Sequence, residues 1–225
     1  MDIESAVTLA MKFNVEELCQ NSFTCARDKG WHEKPRTSCD ISNLFVSELS
    51  EALEDYRAGK GPAEVYYEVK FRDDGGLISK ETVAAADIEA ARAVEGKYGR
   101  GRSFIEAKPC GIPIEFADWV IRVGEYCGTN KLNLFHWYLV ALQRGTAQKD
   151  LVEVCGFDEL LSLMNYYSVL AIEHPQKPLK VDLLGQGLAV MMVYCHRAEI
   201  PIVEAINEKH AFNLTRPHRH GGKLI

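Results

Sequence analysis

Apolar residues recur every three or four positions through seven stretches of the chain: 3–29, 41–58, 113–127, 132–143, 157–173, 180–198 and 201–216. That spacing gives a helix one apolar face, so the pattern predicts an all-α protein, which we read as a single domain over 1–225. The exception is 61–112. It opens with GPAEVYYEVKFRDDGGLIS, where Val65, Tyr67 and Val69 alternate with polar or aromatic neighbours ahead of an Asp-Asp-Gly-Gly turn. Alternation followed by a turn predicts a β-hairpin or an ordered loop. The Ala-rich KETVAAADIEAARAVEGKYG that follows predicts a helix, and GRGRS after it a basic, flexible turn. Residues 61–107 thus read as an insert between two core helices, and 130–198 as a further helical segment.

Acidic residues interrupt two of the helical stripes. In SELSEALEDYR (47–57), Leu44, Phe45, Leu49, Ala52, Leu53 and Tyr56 form the apolar arc of a helix. Glu48 lies at one side of that arc, with Asp55 and Glu51 within about 60° of it, whereas Glu54 faces away. An isolated carboxylate at a core edge must be neutralised, paired or bound to a cation. Three together point to a metal, to lysines of another helix, or to a face that turns into water. The stretch KPCGIPIEFADWVIRVGEYC repeats the arrangement: a helix begins at about Pro113, and Glu115 and Asp118, three apart, border its apolar stripe. Packed antiparallel, the two helices would gather Glu48, Glu51, Glu115 and Asp118 in one small volume. Oxygen-only donors suit Mg²⁺ or Mn²⁺ rather than Zn²⁺.

The C-terminal AINEKHAFNLTRPHRHGGKLI supplies positive charge. Lys209, Asn213 and Arg216 share one helix face, Pro217 stops the helix, and His218, Arg219, His220 and Lys223 follow on a tail. Beside a metal-loaded acidic cluster, such cations suit a triphosphate; alone, they suit a solvated helix end. The tail histidines read as a mobile surface tail, with no third ligand for zinc.

Composition narrows the classes. A formal charge of −6 and a pI near 5.7 disfavour a nucleic-acid polymer as partner and leave free nucleotides open. Seven cysteines, odd in number and without a C-x-x-C pair, read as reduced thiols of a cytoplasmic protein. Neither a signal pattern nor a bilayer-length apolar run is present, so no membrane partner is expected. Lys60 does not belong to a phosphate-binding P-loop, since RAGKGPAE lacks the upstream glycine and the Ser/Thr after the lysine.

Taken in order, Glu-x-x-Glu at 48–51, GIPIEFAD with Glu-x-x-Asp at 115–118, and the closing EKHAFNLTRPHRHGGK resemble the MazG type of all-α nucleoside triphosphate pyrophosphohydrolase, whose superfamily includes the dimeric dUTPases. The likeness covers about 41–58, 108–127 and 200–223. It implies a helical bundle that cleaves (d)NTP to (d)NMP and pyrophosphate, with Mg²⁺ held by Glu48, Glu51, Glu115 and Asp118. Glu48 or Glu51 would orient the attacking water. Lys209, Asn213 and Arg216 would hold phosphates or sugar, Trp31 would stack on a base or cap the core, and a homodimer or homotetramer would be the assembly. Two features depart from the family pattern: the long insert between the acidic pairs, and the segment 130–198. That segment reads as a degenerate duplicate, because WVIRVGEYCGTNKLNL and LAVMMVYCHRAEIPI share an apolar run and a Tyr-Cys, with Leu183 and Gln186 standing where the first copy has Glu115 and Asp118. Other readings of the same residues are a non-catalytic helical module that binds metal or nucleotide for regulation or interaction, and a structural helical protein whose acidic pairs meet basic partners.

Overall fold

The computed structural model describes residues 13–145 and 156–219. Helix α1 spans Val15–Asp28, α2 Ser38–Arg57, α3 Ile88–Arg92, α4 Ile112–Asn130, α5 Leu134–Arg144, α6 Phe157–Glu173, α7 Lys177–Arg197 and α8 Ile202–Thr215. Strands β1 (Tyr66–Asp73), β2 (Ile78–Ala84) and β3 (Arg102–Cys110) form one antiparallel sheet in the order β2-β1-β3. The protein is therefore mostly helical, with a small sheet contributed by the insert.

Side chains at the helix ends explain most of the boundaries. The helix expected over 3–29 begins, within the described residues, at Val15, because the Asn14 side chain caps it by accepting from the Glu17 N–H at 3.1 Å. Residues 3–12 of that expectation lie outside the described residues. Helix α2 starts three residues earlier than the apolar stripe indicates, since Thr37 and Asp40 close a capping box. Pro178 sits in the first turn of α7 and extends it back from 180.

Two expectations for the insert are corrected. Lys80–Ala84, taken as the start of an Ala-rich helix, is strand, and helix proper is confined to Ile88–Arg92 between two 3₁₀ turns. The turn expected of GRGRS is present at Gly99, Arg100 and Gly101, but Arg102 and Ser103 open a third strand. Pairing overrides propensity here. β1 runs between β2 and β3 and pairs along its length with both, and it buries Tyr67, Val69 and Phe71 with Val83, Ile88, Ala91 and Tyr98 in a small core of their own.

The larger core belongs to the helices. Helices α1 and α2 pack on α4, α5 and α6 pack on α7, and α2 also packs on α6, joining the two sets; α8 returns from the end of the chain to lie along α4. Trp119 of α4 is fully buried at this junction, where its indole N–H donates to the Ser168 hydroxyl of α6 at 2.9 Å. The α5–α7 crossing is close because residue 185 is glycine: a Cβ there would stand 2.7 Å from the backbone carbonyl carbon of Trp137. Gly185→Ala should accordingly destabilise the protein by about 1–3 kcal/mol, read as a lower denaturation midpoint. An unchanged midpoint would mean that the crossing relaxes freely.

Candidate metal and anion site

Helix α2 carries Glu48 and Glu51 one turn apart, and α4 carries Glu115 and Asp118 in the same relation. Packing α2 against α4 makes the two acidic edges meet. One carboxylate oxygen from each of Glu48, Glu51 and Glu115 lies within 4.8 Å of the other two. Glu48 and Glu115 are buried, while Glu51 is exposed and faces the cleft. Gly111 sets the entry into α4. Its φ of +114° suits glycine, and a Cβ would collide with the Glu64 carbonyl oxygen at 2.3 Å. Glu115 thereby falls in the first turn of α4, where the helix dipole favours negative charge.

The buried acids are held under electrostatic tension. Burial raises the Glu115 carboxyl to about 8 against the pull of Lys209, with Asp118 and Glu51 adding repulsion. One of its oxygens, Oε2, is buried without any hydrogen-bond partner. Burial and the neighbouring Asp118 also raise Glu48, although Arg122 donates to Glu48 Oε1 at 3.2 Å. An orphaned carboxylate oxygen beside two further carboxylates is a fit for a hard divalent cation, which would supply the missing charge and the missing partner.

Asp118 belongs to the same cleft but has a different neighbour. Its Oδ2 lies 2.7 Å from the Nζ of Lys209, which is only 2% exposed. Burial works against the Lys209 charge, yet Asp118 and Glu115 hold its ammonium at about 12. Lys209 therefore faces the acids as a fixed, buried counter-charge.

The cleft itself has a volume of about 580 Å³ and is bordered by Trp31, Glu48, Glu51, Asp118, Lys209 and Arg216 among others. Asn213 lies on an adjoining cavity of about 50 Å³ that shares Trp31, Arg122 and Arg216 with the cleft. The Asn213 Oδ1 and the Ser22 Oγ, both bordering that cavity, are buried and lack partners. Of the residues singled out in the sequence, then, Glu48, Glu51 and Glu115 form the tight cluster. Asp118, Lys209, Arg216 and Trp31 surround the same space, and Asn213 faces the annex.

Several residues fall elsewhere. Asp55 accepts from the Tyr66 hydroxyl at 2.8 Å and ties α2 to the sheet. His218 and Arg219 pair with Glu33 at 2.8 and 2.9 Å, so this part of the tail is docked on the α1–α2 loop instead of lying loose on the surface. His220 and Lys223 lie outside the described residues. The sheet presents unexpected side chains: Glu68, Lys70, Lys80, Glu106 and Lys108 all border the cleft. Alternation in YYEVKF held the signal for two of them. With Tyr67, Val69 and Phe71 turned to a core, Glu68 and Lys70 must point the other way.

A second buried ion cluster supports the site from behind. Glu125, about two turns beyond Asp118 on α4, pairs with Arg36 and stands 3.3 Å from His32 Nε2. Burial would raise its carboxyl, but His32 and Arg36 outweigh that and hold it below the ordinary range. These contacts anchor the loop that carries Trp31.

Compared with family models, curated proteins and solved structures, the chain matches none. No described helix is long and apolar enough to cross a membrane.

Proposed function

We propose that the protein is a nucleoside triphosphate pyrophosphohydrolase that depends on Mg²⁺, with Mn²⁺ as a substitute. The observation that carries this reading is the Glu48–Glu51–Glu115 cluster, with its unpartnered buried oxygen, opening onto a cleft ringed by cations. A divalent ion bound there would polarise phosphoryl oxygens and make a water more nucleophilic. In the reaction, a water oxygen bonds to the α-phosphorus, the bond from that phosphorus to the α–β bridging oxygen breaks, and pyrophosphate leaves with the bonding electrons. Glu51 or Glu48 orients the water and receives its proton. Arg122 fixes Glu48, and Lys209 balances the acids through Asp118. Arg216 and Trp31 serve the nucleotide at one end of the cleft, where Asn213 and Ser22 offer unpaired polar atoms to sugar or base.

The MazG-like arrangement and its degenerate second half are part of the same proposal. The parallel packing of α1 and α2 on α4 and of α5 and α6 on α7 supports a duplication, with α7 offering Leu183 and Gln186 where α4 offers acids. Self-association as a homodimer or homotetramer is supported by Tyr166 and Val169, exposed one turn apart on α6.

Pyrophosphate release from a panel of NTPs and dNTPs, with and without Mg²⁺, tests the activity. We expect metal-dependent release by the wild type, and a turnover at least about a hundredfold lower for Glu51→Gln, which keeps the shape and removes the charge. Release of orthophosphate in place of pyrophosphate, or turnover indifferent to EDTA, would overturn the assignment.

A further inference from the structure

On the cleft side of the sheet, Lys80, Lys70 and Lys108 are interleaved with Glu106 and Glu68. Lys70 of β1 is paired in register with Lys80 of β2 on one side and with Glu106 of β3 on the other. Directly opposed residues on antiparallel strands share a face, and two like charges so placed repel each other. Glu106 relieves only one of them, pairing with Lys70 at 2.7 Å. Lys80 is exposed, and neither it nor Lys108 has a carboxylate within ion-pair distance among the described residues. Lys108 stands opposite Glu68 in the register and near enough to Glu115 to draw its carboxyl downward. Both unpaired lysines border the cleft that holds Glu48 and Glu51. Of the three ammonium groups on this strand surface, Lys70 is paired, Lys108 stands opposite Glu68 without a direct ion pair, and Lys80 has no carboxylate within ion-pair distance among the described residues; bordering a proposed cation site, they suit a ligand with several negative charges along its length.

We propose that the cleft face of the sheet is a polyphosphate-binding surface. Lys80, Lys108 and Lys70 take the phosphates beyond the bond that is cleaved, and so set the requirement for a triphosphate. This rests on the reading of the acidic cluster as a pyrophosphohydrolase site. It assigns the insert a task in substrate selection. The nucleoside lies toward Trp31 and the annex, the scissile bond over the acids, and the distal phosphates over β1 and β2. Shorter nucleotides would leave the lysines unanswered.

Two measurements on the full chain test the surface. The first is calorimetric titration of inorganic tripolyphosphate, with Mg²⁺ present, onto wild type, Lys80→Ala, Lys108→Ala and Lys80→Arg. Loss of one charge-assisted contact should weaken tripolyphosphate binding about tenfold in each alanine variant, with Lys80→Arg close to wild type. The second is the KM for the best nucleoside triphosphate against its diphosphate; the alanine variants should raise the former about tenfold and leave the latter nearly unchanged. Wild-type tripolyphosphate affinity in both alanine variants would overturn the surface. Should the wild type cleave no nucleotide while Lys80→Ala still loses tripolyphosphate binding, the activity falls and the surface stands. Normal cleavage by both alanine variants with unchanged KM removes the surface and leaves the activity.

Discussion

In EDTA the wild-type protein should lose stability as the pH rises from about 5 to about 8, and Glu115→Gln should abolish most of that loss. The Glu115 carboxyl is raised from an ordinary 4.5 to about 8 by burial. Between those values the unfolded chain has released its proton and the folded protein retains it. The folded state then binds more protons than the unfolded one, and stability must fall with pH through this window, levelling off above about 8. Glu48 shifts in the same direction, so it adds to the slope. The loss amounts to a few kcal/mol, or on the order of 10 °C in melting temperature for a chain of this size. A divalent cation takes the place of the proton. Mg²⁺ should therefore raise the wild-type midpoint most at the alkaline end and release protons on binding, while Glu115→Gln gains little from the metal. The same variant should lower nucleotide turnover at least about a hundredfold. Melting curves in EDTA and in millimolar Mg²⁺ from pH 5 to 8, set beside turnover, decide the matter. A wild-type midpoint that is flat in EDTA would show that Glu115 is ionised and solvated in the folded protein; equal gains from Mg²⁺ in both proteins would place the cation elsewhere.

The acidic centre was legible in the sequence because its information is local. Glu48 with Glu51 and Glu115 with Asp118 each stand at helical spacing on the margin of an apolar stripe, and one helix pairing suffices to join them. Most ends of the core helices were legible to within a turn, with differences such as the start of α2 traced to single side chains like Thr37, but the break at Asn14 inside the stretch 3–29 was not. The sheet was not, since a strand is defined by partners. Thr82 and Val83 sit in an Ala-rich context that favours helix, and only pairing with β1 makes them strand. The same non-locality hid Lys80 and Lys108 as residues of the cleft. Each reaches it through register, across a turn or a crossover that periodicity does not reveal. Asp118 and Lys209 show the opposite error of emphasis. Both border the cleft, but the bond between them, 91 positions apart in sequence, changes what each can do.

That bond gives Lys209 a structural role at the site. A lysine reading phosphates directly would sit with its ammonium in the cleft and leave stability unmoved when replaced. Lys209 is 2% exposed and lies against Asp118, with Glu115 and Glu48 also acting on its charge. Removing it as Lys209→Met preserves bulk but leaves the partly buried Asp118 carboxylate without its partner beside the buried Glu115 and Glu48, which costs up to about 3–5 kcal/mol. We expect that loss in EDTA by chemical denaturation, and a smaller one in saturating Mg²⁺, because the cation supplies part of the missing charge. The double variant Lys209→Met/Asp118→Asn should be more stable than Lys209→Met alone, with a coupling of about 0.5–3 kcal/mol. Activity of Lys209→Met should fall through kcat, since the acids it holds would shift or protonate while Arg216 and Trp31, the proposed nucleotide ligands, still line the cleft. A variant within about 0.5 kcal/mol of wild type, carrying only a raised KM, would reverse this assignment: Lys209 would then be a substrate ligand, and Asp118 would be free to join Glu48, Glu51 and Glu115 in holding the metal.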